Sequence, residues 1–136
     1  MRSMLFVPAD SERKLAKGLD SGADALILDL EDSVAAANRP AARRLARDFL
    51  EAHASDRILR YVRINPLASG LALDDLAATV AGRPDGILLP KCVPEDVRTV
   101  DHYLSAFETA AGVSVAIATM RICPTGTPAA VSKAEG

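Results

Sequence analysis

Short apolar runs alternate with stretches of helical period along this chain. MLFVP, Met4 to Pro8, predicts a strand. Ser11 is placed to cap the helix SERKLAKGLDSG, which the pattern carries to Gly22. DALILDL, Asp24 to Leu30, predicts a second strand. In RPAARRLARDFLEAH, Pro40 lies near the start and Ala42, Leu45, Ala46 and Phe49 share one face, so 39–53 reads as a helix. RILRYVRINP is a third strand ended by Pro66, LALDDLAATVAG a short helix, and DGILLPK a fourth strand. The helix from Val93 to Gly112 opens on Pro94 and acidic residues, and VSVAIAT predicts a fifth strand.

Strands and helices thus alternate from Met4 to Thr119, with short connections and largely apolar strands. Such strands suit a parallel α/β sheet covered by helices. GADALILD and RPDGILLP echo one another, as repeated βα units would. Two architectures fit: an open doubly wound sheet, or the N-terminal half of a (β/α)8 TIM barrel. A whole barrel takes about 250 residues, and this chain has 136. The expected division is 1–117 as the βα units and 118–136 as an atypical tail, a terminal arm or the mark of a chain cut short. A half barrel also leaves two open sheet edges, which invite association.

Composition narrows the function classes. The formal net charge is −2, which gives no electrostatic case for nucleic acid or an anionic membrane. Aromatic residues make up 4% and Trp is absent, so a base-stacking surface is disfavoured. No apolar run reaches membrane-span length, and the first residues hold too short an apolar core for a signal peptide. Cys92 and Cys123 form no CxxC pair, and a reduced, cytoplasmic setting is expected. A nucleotide-binding open sheet would want a glycine-rich phosphate loop, and neither GxxxxGK nor GxGxxG occurs.

In parallel α/β folds the chemistry collects at the C-terminal ends of strands. The polar residues fall there. Strand two ends in Asp29, Glu31 and Asp32, strand three in Arg63 and Asn65, and strand four in Lys91. Alternation puts Asp29 and Glu31 on one face, and Arg63 and Asn65 on one face. The acids suit a hard cation such as Mg²⁺, or pairing with Arg63 and Lys91. Asp32 with Ser33 also suits a loop cap. His53 and His102 lie on helix surfaces without a His or Cys partner at metal spacing. Cys92 reads as packing. Arg13 and Lys17, with Arg2, could hold an anion near the first strand's end.

RSMLFVPADSERKLAKGLDSGADALILDLEDSV, then VRINP, then GILLPK, together resemble the HpcH/HpaI aldolase or citrate lyase β-subunit family of CoA-ester lyases. The resemblance implies a (β/α)8 barrel and a carbon–carbon lyase. Its members cleave citryl, malyl or citramalyl thioesters to an acetyl moiety and an oxo acid, with Mg²⁺. It implies that Arg63 binds the substrate's oxygens and steadies the enolate, and that Glu31 and Asp32 serve the metal through water. It also implies Asn65 and Lys91 as substrate contacts, Arg13 and Lys17 near CoA phosphates, and a homo-oligomer, a trimer or hexamer, of the full-length protein. The family's metal-ligating Glu has its best counterpart in PTGTPAA, where Gly126 stands instead. A second family ligand would lie beyond Gly136. The alternative to a lyase is therefore a non-catalytic fragment or interaction module without the metal-binding half.

Overall fold

A computed structural model describes residues 3–119, 121–122 and 128–129 of the chain. Five parallel strands form one sheet: β1 (Met4–Pro8), β2 (Ala25–Asp29), β3 (Leu59–Arg63), β4 (Gly86–Leu89) and β5 (Ala116–Thr119). Four helices connect them: α1 (Glu12–Leu19), α2 (Arg39–Ala52), α3 (Ala72–Thr79) and α4 (Pro94–Ala111). A two-residue antiparallel ladder, β6 (Arg121–Ile122) with β7 (Pro128–Ala129), follows. The tail is otherwise outside the described residues, as is Gly126.

Strand order decides the architecture that periodicity left open. The strands lie in the order β1-β2-β3-β4-β5, with each crossover to the next neighbour. A doubly wound sheet reverses its order at a switch point and places helices on both faces. Here residues of all four helices, among them Leu15, Leu50, Leu76 and Leu104, join one core with Val7, Leu26, Leu28, Val62, Ile87 and Ile117 of the strands. The opposite face carries a separate, smaller cluster of Ile27 and Leu88 with the half-buried Phe6 and Tyr61, and among the described residues no helix joins it. Helices on one face and a bare inner face make this the winding of half a (β/α)8 barrel.

Local chemistry explains the boundaries. Ser11 Oγ accepts from the Lys14 N–H at 3.2 Å and starts α1, with Glu12 in its first turn. That helix ends at Leu19, sooner than the pattern indicated, and Gly22 takes its positive φ of 77° in the following turn. The Asp96 carboxylate accepts from the Val93 N–H at 3.1 Å to start α4, and Gly112 closes it in the left-handed conformation. The stretch expected as one helix over 71–82 is α3 followed by a 3-10 turn over Val80–Gly82. Gly82 has a packing reason: a Cβ there would sit 2.9 Å from Leu50 Cβ.

Candidate active site

Parallel register sets the site. Pro8, Asp29, Arg63 and Leu88 are successive partners across β1 to β4, near the strands' C-terminal ends. Asp29 and Arg63 therefore meet directly. Arg63 Nε donates to Asp29 Oδ1 at 2.9 Å, and Nη2 donates to Oδ2 at 2.6 Å. This is the two-pronged grip that a planar guanidinium makes on a carboxylate. The Arg63 Cζ also lies 4.6 Å over the Phe6 ring centroid, a cation–π contact from the neighbouring inner face. Nη1 makes no hydrogen bond among the described residues.

Asp29 organises the loop as well. Its carboxylate accepts from the Glu31 N–H at 2.8 Å, from the Ser33 N–H at 3.2 Å and from the Ser33 hydroxyl at 2.6 Å. The loop cap expected of Asp32 with Ser33 is thus made by Asp29. Burial pushes the Asp29 carboxyl up. The hydrogen bonds from Arg63, Ser33 and the Glu31 backbone, with the Arg63 charge, outweigh it and hold the group below its ordinary value. Burial likewise works against the Arg63 charge, and Asp29, Glu31 and Asp32 more than offset it, so the guanidinium is raised.

The turn after β2 brings Glu31 back over the same strand ends. Its side chain is only 5% exposed. Oε2 accepts from Lys91 Nζ at 3.2 Å, while Oε1 lies 3.8 Å from Arg63 Nε and has no hydrogen-bond partner among the described residues. Glu31 and Arg63 therefore face one another. Lys91 lies past the end of β4 with φ 47°, a left-handed conformation that costs a non-glycine residue about 1 kcal/mol. Its ammonium also approaches Asp32 Oδ1 at 3.6 Å. The Glu31 hydrogen bond and the charges of Glu31 and Asp32 raise the Lys91 pKa.

Asn65 is placed otherwise than alternation suggested. The ladder of β3 ends at Arg63, the Ile64 N–H still donates to Leu88 O at 3.2 Å, and the Asn65 N–H turns to Asp75 Oδ2 at 2.8 Å. The carboxamide is buried and donates to Leu30 O at 3.0 Å and to Asp75 Oδ2 at 2.8 Å. It does not join the Arg63 cluster. Arg13 and Lys17 are exposed on α1, and no hydrogen bond or ion pair among the described residues joins them to the Arg63 cluster.

Sequence reasoning passed over Asp75 and Arg43. Asp75 is fully buried and accepts from Arg43 Nε at 2.8 Å. The signal was there in the stripe Ala72, Asp75, Leu76 and Thr79, the buried face of α3, where an acid among small and apolar residues implies a partner.

Two cations, Arg63 and Lys91, and three carboxylates, Asp29, Glu31 and Asp32, thus cluster at the strand ends of the half barrel. The HpcH/HpaI aldolase/citrate lyase family model matches residues 2–135. The chain belongs to that family. It is 42% identical over 90 residues to a (3S)-malyl-CoA thioesterase of Cereibacter sphaeroides, covering 66% of this chain and 32% of that protein. It is 38% identical over 112 residues to citrate lyase subunit beta of Escherichia coli, covering 82% and 37%. Among solved structures, the Mycobacterium tuberculosis citrate lyase beta subunit complexed with oxaloacetate and magnesium superposes with a TM-score of 0.60 at 38% identity, covering 71% of this chain and 42% of that one. The chain spans about a third of the length of the curated relatives it matches.

Membership raises the matter of Mg²⁺, and the donor set tests it. Mg²⁺ takes six oxygens in strict octahedral geometry and retains several waters. Both Asp29 oxygens and Glu31 Oε2 already accept from cationic side chains. Among the described residues no three His, Cys, Asp or Glu side chains converge as a metal site. These residues do not fit a directly coordinated Mg²⁺. Glu31 Oε1 and the exposed Asp32 fit only as acceptors for a metal's waters. No helix among the described residues is long and apolar enough to cross a membrane.

Proposed function

We propose that this chain carries the oxygen-binding part of a CoA-ester lyase that cleaves a citryl-, malyl- or citramalyl-like thioester. The observation that carries the reading is Arg63. It is held at the strand ends by two bonds to Asp29, through Nε and Nη2, and Nη1 makes no hydrogen bond among the described residues. Bidentate pairing fixes the guanidinium plane, so its Nη1 edge is presented without reorganisation.

In the reaction the bond between the α-carbon and the hydroxyl-bearing carbon breaks. The hydroxyl loses its proton and becomes the carbonyl of an oxo acid. The bonding pair passes to the acetyl thioester as an enolate, which is then protonated. Arg63 meets the substrate's oxygens as that charge develops, and Lys91, whose side chain is 58% exposed, adds a second cation at the strand ends. Glu31 anchors Lys91 and faces the guanidinium, holding both cations over one spot. Arg13 and Lys17 offer an exposed basic pair, one helical turn apart, for the CoA phosphates. Glu31 and Asp32 would accept only from the waters of a Mg²⁺ ion, whose chemistry would be Lewis-acid polarisation of a carbonyl. The reading includes a cytoplasmic, homo-oligomeric protein.

A second reading, a non-catalytic interaction module, has one observation in its favour: the described residues lack a direct metal ligand set. Incubation with malyl-CoA and citryl-CoA in Mg²⁺ separates the two. Release of an acetyl thioester and an oxo acid, abolished in Arg63→Gln, supports the lyase. Absence of turnover, with Gly126→Glu as inert as the parent chain, supports the module.

A further inference from the structure

Beside these strand ends lies a buried polar chain of side chains that runs from α2 and α3 to the loops after β2 and β3. Asp75 of α3 accepts three hydrogen bonds at 2.8 Å: from Arg43 Nε of α2, from the Asn65 backbone N–H and from the Asn65 carboxamide. The same carboxamide nitrogen donates to Leu30 O at 3.0 Å. Leu30 sits between Asp29 and Glu31, and Asn65 lies two residues past Arg63. The Leu30 N–H in turn donates to Arg63 O at 3.0 Å. Two helices are thereby tied to the tips of the two strands that supply the guanidinium and its carboxylates.

We propose that Asp75 is a positioning residue for Arg63, acting through Asn65 to fix the spacing of the β2 and β3 tips. The need for it follows from where the ladder stops. Regular pairing ends with Asp29 opposite Arg63, and just beyond it the tips are joined by the single backbone bonds from the Leu30 N–H to Arg63 O and from the Ile64 N–H to Leu88 O. At Asn65 the backbone N–H turns to Asp75 instead, so a buried side chain carries the restraint on from there. Asp75 is 0% exposed, and its partners all donate, so only a carboxylate satisfies them. Asn at this place would turn an NH₂ toward donors. Arg43 pairs with that buried carboxylate at 2.8 Å and supplies the opposite charge. A site is only as exact as the shell that holds its first contacts. The inference rests on the reading of Arg63 as the substrate-binding group, but its test needs no substrate.

The test is the Arg63 Nε–H resonance of the full chain by proton–nitrogen NMR. Hydrogen exchange at that N–H reports the grip on Asp29. In Asp75→Asn the exchange is expected at least tenfold faster, with the resonance displaced. Leu76→Ala, a destabilising change on the same buried face with no link to the site, is the control and should leave the resonance within its folded population. Arg43→Met removes only the far end of the chain and should move the signal the same way by a smaller factor. If Asp75→Asn does not fold, Arg43→Met carries the test. An Arg63 signal unchanged in the folded variants overturns the proposal, and so does an equal change in Leu76→Ala. Failure of the lyase reading would show instead as absent turnover with this NMR pattern intact.

Discussion

Arg63 grips Asp29 across neighbouring strands with two hydrogen bonds, 2.9 and 2.6 Å long, while the Asp29 side chain is only 1% exposed. Arg63→Met would leave that buried carboxylate with no charge partner. Breaking such a pair costs about 3–5 kcal/mol. Denaturant unfolding should show a loss in that range. A loss under about 1 kcal/mol would mean that Ser33 and the Glu31 N–H satisfy Asp29 without the arginine.

Acid should weaken the same pair. The Asp29 carboxyl is held below its ordinary value in the folded protein, so its contribution is present above the unfolded carboxylate pKa of about 3.9. That contribution is lost as pH falls through the lower folded value. Unfolding free energies between pH 5 and 2 should fall for the parent chain and fall less steeply for Asp29→Asn. Parallel curves for the two proteins would contradict the assignment.

Gly82→Ala tests how the α2 layer closes on the sheet. The added Cβ meets Leu50 Cβ at 2.9 Å and Arg47 O at 3.3 Å, neither of them the loose end of a side chain. Overpacking of this kind costs about 1–3 kcal/mol. A thermal melt should fall by several degrees. An unchanged or raised melting temperature would show that the helix has room to shift.

The βα alternation was legible because β2 and β4, buried along their whole length, read as apolar runs, and because Pro40, Pro94 and Gly112 punctuate the helices. The choice of winding was not legible in the periodicity, and it was the family resemblance that implied the barrel. Winding depends on which strands become neighbours, and no local pattern encodes that. The meeting of Asp29, Glu31, Arg63 and Lys91 followed from strand-end placement alone. Asn65 did not follow, because period-two alternation holds only within the ladder, and β3 stops at Arg63. Asp75 and Arg43 were hidden for another reason: each pairs across 32 residues of sequence, where spacing carries no signal.

Gly126 is the position at which metal binding is tested. If that position stands where relatives supply a carboxylate, Gly126→Glu should tighten Mg²⁺ binding at least tenfold, measured by calorimetric titration. Equal affinity in the two proteins would remove Gly126 as the counterpart. It would also leave Glu31 and Asp32 as the acids to test next.

Oxaloacetate titration addresses the central claim, that Arg63 is the oxygen-binding group at the strand ends. Calorimetry of the parent chain should show saturable binding. Arg63→Gln should weaken it at least tenfold, and Lys91→Gln should weaken it by a smaller factor, since that exposed ammonium is screened by water. Saturable binding that is as tight in Arg63→Gln as in the parent would contradict the account.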